Sequence, residues 1–298
     1  MKGIVFVLGA CFLWALDTLI RYPLLGEGAS ALHIVLTEHF FLCLFFMPFL
    51  FKSFKKIFQL TLTEIFYFFV VGFLASGIGT LAFTSAMGSI NPSLVIILQK
   101  FQPIVAIVLA RVVLKEKIEG PFLRWAGLCF IGGLLISSKD IMAYLESDGA
   151  LSGLFQDEAF WGYLFTFVAV FCWGAATVFG KKLTSSGFSV PEVMMGRFFA
   201  AFIGLIPLCA SSYDVEFAFT FGPKIILMVV LSGLMGMWFY YQGLKEISAK
   251  LCTLIEMFFP FFAVVLNWIV LGATLDVYQV TGALILLAGS VVIEMKHY

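Results

Sequence analysis

The sequence predicts an all-α polytopic membrane protein with ten transmembrane helices, arranged as two inverted five-helix repeats. Hydrophobic residues make up 62% of the chain and charged residues only 12%. Apolar runs of about twenty residues, the length that crosses a bilayer, follow one another with short polar breaks. One of these runs also recurs later in the chain. A chain of this composition and pattern does not fold as a water-soluble domain.

The recurring run covers residues 90–114 and returns, without a gap, at residues 247–271. The two copies share nine identical residues in twenty-five positions, where chance in so apolar a composition would give roughly two or three. The identities are Ile90/Ile247, Leu94/Leu251, Phe101/Phe258, Pro103/Pro260, Ala106/Ala263, Val108/Val265, Leu109/Leu266, Val113/Val270 and Leu114/Leu271. We interpret the chain as a duplication.

Each copy carries a proline near its middle and a polar residue one helical turn before it. The pairs are Gln99 with Pro103 and Glu256 with Pro260. Proline cannot donate the usual backbone hydrogen bond, so each helix is expected to bend there and to free the carbonyl group of Gln99 or Glu256. Irregular backbone is tolerated at membrane depth only where protein groups or a water-filled cavity satisfy it. The pattern therefore predicts hinges at both prolines and places Gln99 and Glu256 beside a central pathway.

Ten spans emerge if each needs about twenty mainly apolar residues. They cover residues 3–22, 31–51, 65–87, 92–114, 121–138, 160–181, 190–211, 223–245, 249–271 and 277–295. With the N-terminus inside the cell, twelve lysine and arginine residues lie inside and three lie outside. Because basic loops stay in the cytoplasm, we expect an integral, multi-pass protein of the plasma membrane (the bacterial inner membrane) with both termini cytoplasmic.

The longest connection, residues 139–159, is acidic and falls on the outer side. It separates a first repeat, residues 1–138, from a second, residues 160–298. Because each repeat has five spans and five is odd, the second must cross the membrane in the opposite sense. The segments around Trp14 and Trp173 correspond as well. Inverted repeats recur in transporters, since their pseudosymmetry lets a central site open to either side.

This plan resembles the EamA family of the drug/metabolite transporter superfamily. The resemblance rests on the ten spans, the segments around Trp14 and Trp173, the helices centred on Pro103 and Pro260, and the Leu-Lys-Glu-Lys ending at residues 114–117. It covers essentially the whole chain. It implies a carrier of small organic solutes such as amino acids, amines and drugs, moved mostly outward.

Ionisable residues inside membrane spans are costly, which makes them candidates for function. Asp17 lies one turn after Trp14, and an acid beside an aromatic face suits a cationic group. The alternative for Asp17 is an ion pair with Arg21, one turn further on. Glu38 in the second span corresponds to Arg197 in the seventh. This charge-swapped pair would bind the two ends of a zwitterion, unless partner helices neutralise each charge.

Further polar and aromatic residues complete the predicted substrate site. Glu256 lies on a polar stripe of the ninth span, and Gln99 lies on the matching face of the fourth. In the eighth span, Trp238 and Tyr241 either line a cavity or anchor the membrane interface, and we favour the cavity. Glu256 can bind a proton whereas Gln99 cannot, so protons and a cationic solute are expected to compete at Glu256.

The sequence carries no phosphate-binding loop, nucleophile motif or metal-ligand spacing. The six cysteines lie inside apolar runs, as packing residues do. The net charge of zero gives no argument for nucleic acid. We therefore expect no enzyme activity, no cofactor, no metal and no nucleic-acid partner. A purely structural membrane subunit is disfavoured, because it predicts spans without buried charges.

The leading hypothesis is a secondary-active transporter that moves a small amphipathic organic solute by alternating access, in the outward direction. The solute would be an amino acid, an amine or a drug-like metabolite. The alternative is an importer or facilitative carrier of a quaternary amine or another polar metabolite. The expected partners are the solute, the lipid bilayer and protons as the coupling ion, in a monomer or a homodimer.

Overall fold

The chain folds as a bundle of helices. The computed structural model describes residues 2–113, 120–146, 155–209, 215–246, 255–256 and 258–296, and no strand occurs within these ranges. The first half contains α1 (Lys2–Gly26), α2 (Ala31–Ile57), α3 (Leu62–Ser89), α4 (Pro92–Val113) and α5 (Gly120–Ile136), followed by a short helix at Ser138–Glu146. The second half contains α6 (Glu158–Ser185), α7 (Val190–Cys209), α8 (Val215–Met228, Val229–Gly236 and Met237–Glu246), α9 (Phe258–Leu271) and α10 (Val277–Lys296).

Seven of the described helices, α1 to α4 and α6 to α8, are long and apolar enough to cross a membrane. Shorter apolar helices lie in α5, α9 and α10. Large hydrophobic side chains stand on the outside of the bundle, with Leu62 86% and Phe219 81% exposed. Such a surface suits lipid and not water. The chain is thus a polytopic membrane protein, while the count of ten spans stays a prediction.

α4 changes its helical form in the middle of the span. The α-helix ends at Leu98, the residues Gln99–Phe101 form a 3₁₀ turn, and the α-helix resumes at Gln102. The expectation that Pro103 frees the Gln99 carbonyl is wrong, because the N–H of Gln102 donates to it in the tighter turn. Nearby, the Ser290 hydroxyl of α10 donates to the Lys100 carbonyl at 3.0 Å. The break is therefore closed by protein groups and held by a neighbouring helix.

In the second half, Pro260 lies near the start of α9. α9 is described from Phe258 onwards, so the backbone before Pro260 falls largely on residues 247–254 and 257, outside the described ranges. Pro260 is buried. Further along α9, the Asn267 side-chain amide donates to the Ser93 hydroxyl at 3.2 Å, which joins this helix to the start of α4.

The helices pack mainly across the two halves and not within one half. α1 packs on α8 and α9, whereas α6 packs on α3 and α4. α2 packs on α7, and α5 packs on α10. Each helix pair thus has a counterpart in which the halves exchange places, and neither half encloses a core of its own.

Two of these pairs run antiparallel. In the α5/α10 pair, Cys129 lies beside Gly289 while Ile136, seven residues later, lies beside Gly282, seven residues earlier. In the α2/α7 pair, Lys56 near the end of α2 forms an ion pair of 3.0 Å with Glu192 near the start of α7. The fifth and second helices of one half therefore oppose their counterparts in the other.

Candidate solute-binding site

A central cavity of about 1030 Å³ lies between the two halves. Its lining comes from α1, α2, α3, α4, α6, α7 and α8, together with residues at the beginning of α9. Six of the residues predicted to bind solute line it: Trp14, Asp17, Glu38, Gln99, Arg197 and Glu256. The residues of α1 that face the cavity recur at helical spacing, so one stripe of this helix forms a wall.

A buried charged cluster lies on the lining of the cavity; we call its members Asp17, Arg21, Glu38 and Thr84 the Arg21 cluster. The Arg21 guanidinium, only 3% exposed, donates to both carboxylate oxygens of Asp17, at 2.7 and 3.1 Å. It also donates to Glu38 at 3.0 Å and to the Thr84 hydroxyl at 3.0 Å. Two-point bonding of this kind fixes the geometry of the pair as well as its charge.

The Arg21 cluster changes the sequence-based interpretation of both acids. Of the alternatives for Asp17, the ion pair with Arg21 is the one that forms, and the Ser232 hydroxyl lies 2.9 Å from the same carboxylate. Glu38 forms an ion pair of 3.0 Å with Arg21. For Glu38 this is the alternative in which a partner helix neutralises the charge, because one arginine on α1 reaches both carboxylates. The predicted zwitterion site between Glu38 and Arg197 stays a prediction.

Aromatic side chains form two walls of the cavity. In the first wall, the Trp14 ring lies 5.6 Å from Tyr240 and 6.4 Å from Phe259, measured between ring centroids. In the second wall, Phe83 and Trp173 lie 5.2 Å apart. The sequence analysis did not predict Tyr240 and Phe83 as site residues, although they hold corresponding positions in the two halves. The signal was present, because each stands twenty residues before the proline of its half.

Both tryptophans rest on glycines in π-helical segments. Phe69–Gly79 of α3 and Val229–Gly236 of α8 are π-helical, a rare form often found at functional sites. A Cβ atom at Gly236 would lie 2.7 Å from the Trp14 indole nitrogen, and one at Gly79 would lie 3.0 Å from that of Trp173. Only a residue without a side chain allows the indoles to approach so closely.

Two further polar residues of the cavity differ in how the fold uses them. The His39 ring lies 2.8 Å from the Val35 carbonyl through Nδ1 and 3.0 Å from the Ser76 hydroxyl through Nε2, so both nitrogens are engaged. Gln99 is 9% exposed, and its amide nitrogen is buried with no hydrogen-bond partner among the described residues. The His39 ring is held by bonds to both nitrogens, whereas the amide nitrogen of Gln99 has no such bond within the described residues.

The structure places Trp238 outside the cavity. Its side chain is 55% exposed and packs edge-on against Phe6, with the ring centroids 6.0 Å apart. Neighbouring helical residues point about 100° apart. Since Met237 and Tyr240 line the cavity, Trp238 turns toward the outside. The side chain of Tyr241 lies outside the described part of the chain.

Charged residues of both signs line the rest of the cavity. Arg197 and Glu256 do so as predicted. The position of Lys100 was left open by the sequence; its Nζ lies 5.9 Å from the centroid of the Phe259 ring. Together with the Arg21 cluster, the lining carries three acidic and three basic residues. Within the described ranges, no group of three or more His, Cys, Asp or Glu side chains is placed to hold a metal ion.

A bundle of membrane-length helices around a central, aromatic and charged cavity defines a polytopic membrane transporter for a small solute. The chain belongs to the EamA-like transporter family, whose sequence profile matches residues 1–138 and 160–295. The chain is therefore an integral, multi-pass membrane protein.

Curated relatives and a solved structure agree with this assignment. The chain is 30% identical over 312 aligned positions to the riboflavin transporter ImpX of Fusobacterium nucleatum subsp. nucleatum, with 96% of this chain and 95% of that protein covered. It is 23% identical to an uncharacterized transporter of Clostridium kluyveri, with 98% and 92% covered. A crystal structure that is 14% identical covers 97% of this chain and 95% of its own, with a TM-score of 0.56, which indicates a shared fold.

Proposed function

We propose that the chain carries riboflavin, or a flavin of similar shape, across the membrane by alternating access. The observation that carries the proposal is the cavity between two aromatic walls, in which the acids Asp17 and Glu38 are already paired with Arg21. The relative of known substrate, 30% identical over nearly its whole length, is a riboflavin transporter. A neutral aromatic solute fits both findings.

The physical fit concerns shape and charge. A flavin ring is planar, aromatic and uncharged, and planar rings pack on aromatic side chains in offset or edge-on contacts. The volume of about 1030 Å³ lies at the upper end of pockets for drug-sized ligands, roughly 300–1000 Å³. The polyol tail of riboflavin would find hydroxyl and amide partners in the lining, including Thr18, Thr80 and Thr177.

A cationic amine, favoured by the sequence alone, fits less well. An amine would compete for Asp17 or Glu38 with an arginine that is already bound to both at 2.7 to 3.1 Å. Separating buried partners leaves an uncompensated charge, which is strongly unfavourable. We propose that the carboxyl group of Glu256 takes part in proton coupling.

We further propose that ten spans form two inverted five-helix repeats, residues 1–138 and 160–298, with both termini in the cytoplasm. The antiparallel course of α5 against α10 and of α2 against α7 supports an inverted relation. The exchange of packing partners between the halves supports it too. The excess of basic residues in the inner loops supports the orientation.

On this orientation the described cavity faces the cytoplasm. Its lining extends to Gly180 near the end of α6 and to Val190 at the start of α7. At the other end, beyond the Arg21 cluster, Leu24, Ile34 and Met87 are completely buried. The opposite state would follow if the two sets of cross-half contacts exchanged roles. The relatives are transporters and not enzymes, so a solute or proton gradient would drive the cycle.

The test is flavin binding and flux with purified protein. We expect saturable quenching of riboflavin fluorescence as the ring stacks on Trp14 or Trp173, and saturable riboflavin flux in proteoliposomes. Vesicles of the two orientations separate uptake from export. If an aliphatic amine raised the melting temperature in a saturable manner and riboflavin caused neither quenching nor flux, the amine hypothesis would replace this one.

A further inference from the structure

The carboxamide of Gln99 is a buried polar group that the fold leaves unused. Gln99 lines the cavity and is 9% exposed. Its amide nitrogen has no hydrogen-bond partner among the described residues. A buried donor without a partner is unfavourable, because it has lost its bonds to water without replacing them. A bound solute that accepted this hydrogen bond would remove that cost.

The backbone that carries Gln99 is held by hydrogen bonds on both sides. The Gln99 N–H donates to the carbonyls of Val95 and Ile97, and the Gln99 carbonyl accepts from the N–H of Gln102. The next carbonyl, that of Lys100, accepts from Ser290 of α10. A side chain on so well-anchored a turn presents its end group to the same place in every molecule, which favours specific recognition.

The same turn borders the first aromatic wall. Lys100 follows Gln99 directly, and its Nζ lies 5.9 Å from the centroid of the Phe259 ring. Phe259 in turn contacts the Trp14 ring edge-on. A planar solute packed on this wall would therefore have one edge toward the 3₁₀ turn Gln99–Phe101.

We propose that Gln99 determines specificity by binding the edge of the solute ring, where an N–H group stands beside a carbonyl. A carboxamide offers a donor and an acceptor side by side, and it pairs with such an edge through two hydrogen bonds, as glutamine does with nucleobases. The terminal torsion of glutamine is soft, so a small rotation turns the nitrogen toward the cavity. The pyrimidine ring of a flavin carries this edge as an imide, so the inference rests on the proposed function.

The experiment pairs a protein variant with a ligand variant. Riboflavin and 3-methylriboflavin differ at the imide N–H, and binding of each is measured by fluorescence quenching with wild-type protein and with Gln99→Met. We expect wild-type protein to bind riboflavin about tenfold more tightly than the methylated flavin, as for the loss of one or two hydrogen bonds. In Gln99→Met, both flavins should bind with nearly equal, weaker affinity.

Two further variants serve as controls for this experiment. Gln99→Glu keeps the size and an acceptor but lacks the donor, and it should show an intermediate preference. Gln59→Met makes the same change as Gln99→Met at an exposed position outside the helices, and it should keep the full preference. Melting temperatures show whether each variant is folded.

The outcomes separate this inference from the proposed function. A preference for riboflavin that persists undiminished in folded Gln99→Met would overturn the role of Gln99 and leave riboflavin transport standing. Equal affinity of wild-type protein for both flavins would do the same. Failure of wild-type protein to bind either flavin would overturn the proposed function and the role of Gln99 with it.

Discussion

The two halves of the chain place the same kind of aromatic pair on the cavity. Trp14 of α1 meets Tyr240 of α8, and Trp173 of α6 meets Phe83 of α3. Each pair joins one half to the other, and each indole rests on a glycine of a π-helical segment. The two aromatic walls of the cavity are therefore related by the approximate symmetry of the two halves.

The charged lining is not symmetric. The residues three and seven places after the tryptophan are Asp17 and Arg21 in the first half but Ala176 and Gly180 in the second. All four line the cavity. The charged residues lie in the second half of α1 and the small residues in the second half of α6. The comparison shows that a duplicated frame supplies the cavity, while substitutions in only one copy decide which end is held by ion pairs.

The largest expected effect comes from Arg21→Met, which removes the arginine of the charged half of the lining. The variant leaves Asp17 and Glu38 buried without their shared partner, which typically costs about 3–5 kcal/mol. We expect a marked fall in the melting temperature in detergent. Adding Asp17→Asn and Glu38→Gln removes the stranded charges and should restore most of the loss.

A matched control for Arg21→Met is Lys224→Met. Lys224 pairs with Glu27 at 2.6 Å, but both side chains are about half exposed, and such pairs contribute roughly 0–1 kcal/mol. A fall in melting temperature no greater for Arg21→Met than for Lys224→Met would contradict the importance assigned to the Arg21 cluster.

A second asymmetry is that Glu256 can exchange a proton where its counterpart Gln99 cannot. If one proton is coupled to transport, the rate changes by up to about tenfold per pH unit over the coupled range. We expect Glu256→Gln to fold normally and to abolish this pH dependence in proteoliposome flux. Glu216→Gln, the same change at an exposed site, should leave it intact. A pH profile unaltered in Glu256→Gln would move the coupling to Asp17 or Glu38.

The two tryptophans allow a smaller and sharper test of the aromatic frame. The Trp173 indole N–H donates to the Ala75 carbonyl at 2.9 Å, whereas that of Trp14 has no such bond within the described residues. Trp173→Phe should therefore lower stability by about 1 kcal/mol, and Trp14→Phe should lower it less. Thermal unfolding of both variants measures the difference. Equal losses would show that the hydrogen bond to Ala75 contributes nothing net.

The sequence predicted the helical membrane fold because composition and repeat length depend on the bilayer and not on tertiary detail. Hydrophobic runs of membrane length and a recurring segment were enough. Pro103 predicted a disturbed helix near Gln99, where the 3₁₀ turn lies. It did not predict the hydrogen bonds of the turn, because the donors are Gln102 and Ser290, which the proline pattern does not include. Local sequence indicates where a helix is disturbed and does not say which group repairs it.

For the site, the sequence predicted which residues line the cavity more accurately than it predicted which side chains they pair with. Asp17, Glu38 and Gln99 all line the cavity, since buried polar residues in a membrane helix are rare and easily recognised. That Arg21 would bind both carboxylates depends on how α1 and α2 approach, which no spacing within one helix reveals. Trp238 was misplaced for a related reason: an aromatic residue on a membrane helix suits lipid as well as a cavity.

The smallest expected effect is that of Asp276→Asn at the α5/α10 pair. Asp276 precedes α10, accepts hydrogen bonds from the backbone N–H groups of Tyr278 and Gln279 at 2.7 and 3.0 Å, and pairs with Lys139 beyond α5 at 3.2 Å. The bond from the Gln279 N–H, with help from Lys139, lowers the pKa of this carboxyl group. Replacing a helix cap by alanine costs about 0.5–2 kcal/mol, so Asp276→Ala should lose about 1 kcal/mol at pH 7. Asp276→Asn keeps the cap and should lose only the charge contribution, which is smaller.

Because the pKa of the Asp276 carboxyl group is lowered on folding, the charge contribution to stability is complete above the unfolded-state pKa, near pH 4. It disappears as the pH falls through the folded value. The difference in stability between wild-type protein and Asp276→Asn should therefore be constant from pH 7 to about pH 5 and disappear as the pH falls through the lowered folded-state pKa, as measured by thermal unfolding in detergent. A difference that grew as the pH fell would mean that the ionised carboxylate destabilises the folded protein.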